Sequence, residues 1–126
     1  MHVPAPTTSF VANVKDPVYG AKGDGVADDT AAIQKAIDAV HAQGGGVVDI
    51  PAGTYMINAT TYQGEHGLLM KNNVILRMTE TTTLKALPNA SQRYSIVSFI
   101  DVENAHIRGG TIEGERDQHL DTKGQW

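Results

Sequence analysis

The chain has 126 residues, 40% of them hydrophobic, which is enough apolar content for one packed domain and excludes a disordered, charge-dominated segment. A net charge of −4 with 19% charged residues excludes the basic footprint of a nucleic-acid binder, and it offers an anionic ligand no bulk attraction. There is no cysteine, which removes disulfides and thiolate metal sites, and no apolar run approaches the ~20 residues that span a bilayer.

Residues 1–12 read as an extended N-terminal tail, because Pro4 and Pro6 disfavour helix and Thr7, Thr8 and Ser9 carry no periodicity. Phe10-Val11-Ala12-Asn13-Val14 is a short strand candidate at its end. No signal-peptide charge block or apolar run is visible at Met1-His2-Val3. The glycines of Tyr19-Gly20-Ala21-Lys22-Gly23-Asp24-Gly25 predict a loop with residues at positive φ. A helix follows. Ile33, Ala36, Ile37 and Val40 fall at i, i+3, i+4 and i+7 and form one apolar stripe. Asp28 or Asp29 is placed to cap its free N–H groups, and Gly44-Gly45-Gly46 ends it.

Beyond the glycines the apolar period falls from 3.6 to about 2. Val47–Ile50, Tyr55–Ile57, Asn73–Met78, Thr83–Leu87, Ser95–Ile100, Asn104–Ile107 and Thr111–Glu113 read as short strands separated by turn signals. Val47, Val74 and Ala105 open comparable segments at intervals of 27 and 31 residues, with Asn73 and Asn104 just before two of them. Such a beat suits a solenoid of stacked coils, in which matching asparagines form a side-chain ladder. Evenly spaced strands of an ordinary sandwich carry the same beat, so periodicity alone leaves both open.

Two runs narrow the choice. Asn13-Val14-Lys15-Asp16, then Tyr19 through Ile37 with its Gly23-Asp24-Gly25-Val26-Ala27-Asp28-Asp29-Thr30 core, resembles the N-terminal signature of the pectate-lyase-like superfamily. Gly44-Gly45-Gly46-Val47-Val48-Asp49-Ile50-Pro51-Ala52-Gly53-Thr54-Tyr55 resembles its next segment. Pro17-Val18 is inserted relative to many such proteins, and Asp49 replaces an apolar or aromatic residue; the first lies in a loop, and the second is expected to face solvent. The resemblance implies a mainly β fold, a right-handed parallel β-helix whose N-terminal α-helix caps the open end, with residues 13–126 forming the cap and first coils. It also implies relatives among polygalacturonases, pectate lyases, alginate epimerases and phage tailspikes.

The Gly20–Gly25 loop lacks the Gly-Lys-Ser/Thr of a phosphate loop, and Asp24, Asp28 and Asp29 lack the spacing of a calcium loop; capping is their expected role. No cofactor is expected and calcium has no support. The histidines, His2, His41, His66, His106 and His119, show no zinc spacing, and His106 is expected to point off the coil. The segment richest in chemistry closes the chain. Glu113, Glu115, Arg116, Asp117, His119, Lys123 and Trp126 are the candidate substrate-binding residues. Carboxylates there suit acid–base work on a sugar, Arg116 and Lys123 suit a uronate carboxylate, and Trp126 suits a sugar face. Asp-Pro-His is missing, and past the cap region so is the hydrolase pattern Asn-x-Asp followed by Asp-Asp, the pair Asp28-Asp29 belonging to the helix start; no catalytic residue is therefore assigned and the full active site is expected to need later coils.

The expected function is therefore the N-terminal portion of a lyase, glycoside hydrolase or epimerase acting on an acidic, uronic-acid-containing polysaccharide, secreted or extracellular. Nucleic acid and membrane are not expected partners. The alternative is a non-catalytic structural or glycan-binding module, such as a trimeric tailspike on a virion surface or an adhesin. Coils ending at Gln125-Trp126 would leave a bare strand edge, so the chain is expected either to pair with another copy or to continue.

Overall fold

The computed structural model describes residues 10–59, 66–87 and 95–113. In chain order these form β1 (Phe10–Asn13), β2 (Asp24–Asp28), α1 (Thr30–Ala42), β3 (Gly46–Ile50), β4 (Gly53–Ile57), β5 (His66–Leu69), β6 (Val74–Met78), β7 (Thr82–Ala86), β8 (Ser95–Ser98), β9 (His106–Arg108) and β10 (Thr111–Glu113). Sheet I has the order β1-β3-β6-β9, sheet II β2-β4-β7-β10, and sheet III pairs β5 with β8. Every strand pairing among the described residues is parallel. The chain visits sheets I, II and III in turn and then repeats, as a right-handed parallel β-helix does and a sandwich does not.

Period-two alternation builds the core. Inward residues stack rung on rung: Ala12, Val48, Leu76 and Ile107 are register partners in sheet I, and Tyr55, Leu84 and Ile112 in sheet II. Ala12, Val48, Leu76, Tyr55 and Leu84 are buried, whereas Ile107 and Ile112, in the last described rung, are only partly covered. The rungs turn sharply from sheet I to sheet II, at Pro51-Ala52 and at Gly109-Gly110. Gly46 is obligatory. Its φ is +149°, and a Cβ there would run into the carbonyl oxygen of Phe10.

The sequence reading took Val47 and Val74 as equivalent, but the register pairs Gly46 with Val74 and Val47 with Ile75. Two further elements depart from expectation. Asp24–Asp28, read as loop, is β2, held to β4 through an irregular register. Strand β5 was not foreseen. The strand candidate at Phe10 is real and pairs with β3, so β1 lies partly inside the stretch read as tail.

Helix α1 follows β2 and precedes β3, the place that sheet III occupies in later rungs. It buries Thr30, Ile33, Gln34, Ala36, Ile37 and Val40 and packs against β1, β3 and β5, capping the coil. Gln34 makes this a substitute for a strand. Its side-chain amide donates to the carbonyl oxygen of Leu69 at 2.9 Å and accepts from the Leu69 N–H at 2.8 Å. One glutamine thus satisfies both backbone groups that an edge strand would leave unpaired at Leu69.

The two aspartates take different roles. Asp28 Oδ1 accepts from the Thr30 N–H at 3.0 Å and the Thr30 hydroxyl at 2.6 Å. Asp29, the N-cap residue by position, makes no side-chain cap bond. Its buried carboxylate instead accepts the N–H groups of Lys22 and Gly23, both at 2.9 Å, and fastens the preceding loop.

Candidate functional site

The corners of the coil differ in length. Sheet I passes to sheet II through Pro51-Ala52, Thr79–Thr81 and Gly109-Gly110, whereas sheet II passes to sheet III through residues 58–65 and 87–94. Solenoids gather their insertions on the face that works, because loops tolerate variation and a rigid coil positions them. The side bordering sheet III is therefore the candidate cleft.

The segment nominated from sequence starts at that corner. Glu113 closes β10, exposed, with Oε1 3.8 Å from Nζ of its register partner Lys85. Both side chains are about half exposed, so this ion pair contributes under ~1 kcal/mol and leaves both charges available. Glu115, Arg116, Asp117, His119, Lys123 and Trp126 lie outside the described residues.

Sheet III itself holds His66 at the head of β5, with Nδ1 2.7 Å from the Ser98 hydroxyl oxygen. The distance suits a base and its nucleophile. Solvent access does not, because both residues are buried. The pair ties β5 to β8 and is structural. Sequence reasoning missed it because β5 was missed; the short apolar run His66-Gly67-Leu68-Leu69-Met70 was the available signal.

A concavity runs along the outer face of sheet I. There the outward residues form two rows across successive rungs. One is Val11, Val47, Ile75 and His106; the other is Asn13, Asp49, Arg77 and Arg108. A groove of ≈ 320 Å³ is lined by Val47, Asn73, Ile75, Asn104, His106 and Arg108. Asn73 and Asn104 both adopt left-handed backbone, at φ 65° and 58°, and the Asn104 amide donates to Asn73 Oδ1 at 3.1 Å. This is the side-chain ladder expected from their spacing. Arg77 Nε lies 3.3 Å from Asp49 Oδ1, and Arg108 and His106 are exposed, His106 as foreseen.

In the cap loop the aspartates bond to backbone N–H groups. Asp24 accepts from the N–H groups of Ala27 and Val26, both at 2.9 Å, and these bonds hold its carboxyl below the usual range. Tyr55 donates its hydroxyl to the Pro51 carbonyl at 2.8 Å. Burial, with the charges of Asp29 and Asp49, pushes its phenol up to about 12.

Parallel strands coiled in this way beneath a helical cap are the architecture of pectate-lyase-like β-helix proteins. Within that class the chain belongs to the family described as rhamnogalacturonase A/epimerase, pectate lyase-like, whose profile matches residues 11–96. It is 40% identical over 114 residues to mannuronan C5-epimerase AlgE4 of Azotobacter vinelandii, covering 83% of this chain and 20% of that protein. It is 39% identical over 112 residues to alginate lyase 7 of the same organism, covering 83% of this chain and 13% of that protein. The solved AlgE4 A-module superposes with a TM-score of 0.75 at 38% identity, over 84% of this chain and 29% of that one. The chain thus spans a fifth or less of the length of these two curated relatives.

Proposed function

We propose that this chain forms the cap and first rungs of an enzyme that removes the C5 proton of uronate residues in an alginate-like polysaccharide. The observation that carries the reading is its similarity, over most of its length, both to a mannuronan C5-epimerase and to an alginate lyase. Those two activities share a first step. Epimerisation and elimination each begin by removing the proton α to the uronate carboxyl group, and each needs a cation on that carboxylate to acidify the proton.

Arg116 and Lys123 are the residues we assign to the carboxylate, with Trp126 on a sugar face and Glu113, Glu115, Asp117 and His119 as further polar contacts. In sequence they follow β10, and after the equivalent strands β4 and β7 the chain goes on to sheet III. The catalytic base is assigned to rungs beyond this segment.

The test replaces the matched rungs of the AlgE4 A-module with residues 10–126 and incubates the chimera with polymannuronate in D2O. Incorporation of deuterium at C5, read by NMR, is the expected result. A chimera that melts cooperatively yet incorporates none overturns the reading. Independently of the junction, the chain alone should bind oligomannuronate more tightly than the neutral mannan oligomer of equal length, and Lys123→Ala should lower only the former affinity. Equal affinities would count equally against it.

A further inference from the structure

We infer that the outer face of sheet I is a second, non-catalytic binding groove for an acidic polysaccharide, separate from the cleft beside sheet III. The inference rests on the reading that this protein handles a polyuronate, and it adds a place where such a chain is held without being altered.

The argument begins with register. Arg77 and Arg108 are partners on adjacent rungs, on the outward side of β6 and β9. Rungs of a parallel coil stand about 4.8 Å apart. Two guanidinium groups on adjacent rungs of one face therefore meet the same stretch of an extended polyanion and can pair with carboxylates along it. Each guanidinium offers the planar fork that pairs with a carboxylate through two bonds. Arg108 is exposed and forms no ion pair among the described residues. Arg77 meets Asp49 through Nε, at an exposed pair that an incoming carboxylate can replace at little cost.

The rest of the groove has the character of a sugar site. Val47 and Ile75 supply a partly exposed apolar strip for sugar C–H faces, with the exposed His106 ring continuing the same row. Asn73 and Asn104 supply amides for hydroxyl groups. Their hydrogen bond to each other and their left-handed backbone hold them in place before any ligand arrives, which lowers the ordering cost of binding. The two arginines of the row stand against one carboxylate in it, that of Asp49, so the row favours an anion locally although the protein is acidic overall.

The test is titration of the isotope-labelled protein with oligomannuronate and with neutral mannan oligomers, following amide shifts by NMR. Oligomannuronate should move the signals of Val47, Ile75, His106 and Arg108, and the effect should weaken as salt rises. Arg108→Ala and Arg77→Ala should each weaken that binding about tenfold, with the melting transition unmoved. The inference is overturned if these signals stay still at saturation of the polyuronate, if neutral oligomers move them equally, or if both variants bind as wild type. It stands apart from the function proposed above. Shifts on sheet I without C5 exchange in the chimera would refute that function alone, and exchange without shifts on sheet I would refute this groove alone.

Discussion

Replacing Gln34 by alanine removes the side chain that closes the edge of sheet III. Three hydrogen bonds are lost: two with the backbone of Leu69, at 2.8 and 2.9 Å, and one from Nε2 to Asp38 Oδ1 at 3.1 Å. The Asp38 bond lies toward solvent and counts for little. The Leu69 N–H and C=O would be left facing a helix, and an unsatisfied buried backbone group costs about 1–3 kcal/mol. Because Leu69 is only partly buried, water reaches it in part, and we expect a total loss of about 2–4 kcal/mol. That is a large share of the 5–15 kcal/mol that holds a typical domain together. Urea denaturation gives the loss directly, and amide exchange at Leu69 locates it. Gln34→Glu sharpens the test. A carboxylate still accepts from the Leu69 N–H, but it meets the Leu69 carbonyl and the Asp38 charge with a charge of its own. Its folded-state pKa is therefore raised, so the deficit should be small in acid and grow as pH rises through that value. If Gln34→Ala lies within about 0.5 kcal/mol of wild type, and Gln34→Glu shows no pH dependence of its own, the amide is not the edge cap we describe.

Two other perturbations follow from the rung geometry. Gly46→Ala should cost more than about 3 kcal/mol or prevent folding, since the new methyl meets the Phe10 carbonyl and the backbone is strained as well; a soluble variant melting like wild type would contradict the placement of β1 on β3. Tyr55→Phe should cost about 1–2 kcal/mol through the orphaned Pro51 carbonyl, and in wild type Tyr55 should ionise in a late phase near pH 12. Because the folded-state value lies above the unfolded 10.0, the contribution of this phenol is fully present below pH 10 and lost as pH rises through about 12, which stability measurements in alkali would register.

How much of this was legible in the sequence depends on the range of the forces involved. The stripe of Ile33, Ala36, Ile37 and Val40, the aspartate cap and the alternation around Leu76 and Leu84 are local patterns, and each appears in the fold where it was read. Strand β2 was hidden because Gly23-Asp24-Gly25 has loop composition; it is extended only because β4 lies beside it. Strand β5 was hidden by its shortness and by Gly67, a residue that weakens strand signals but is needed here, since a Cβ would lie 2.6 Å from Ile57 Cγ2. A single-residue slip hid only the Asp49 end of the outward row: aligning Val47 with Val74 sets Ile50 against Arg77, whereas the true register sets Asp49 there. The 31-residue interval from Val74 to Ala105 already sets Arg77 against Arg108, as the structure does.

The substitution of a helix for a strand also bears on how the two proposed binding faces are arranged. Sheet I starts at β1 and runs through four strands among the described residues, whereas sheet III starts only at β5, because α1 fills its first place. Among the described residues, the outward rows of sheet I continue across four strands to Val11 and Asn13 in β1, and the sheet I to sheet II turns beside them are short. A chain beside sheet III meets α1 at its N-terminal limit, where Gln34 and Asp38 stand over Leu69. The exposed Asp38 sets a negative charge at that limit, opposed to a uronate. The proposed sheet I face, cationic on two adjacent rungs, suits holding a polymer without a fixed register. The proposed face beside sheet III, bounded at one end by α1 and bordered by the longer connections, suits setting a fixed register for chemistry.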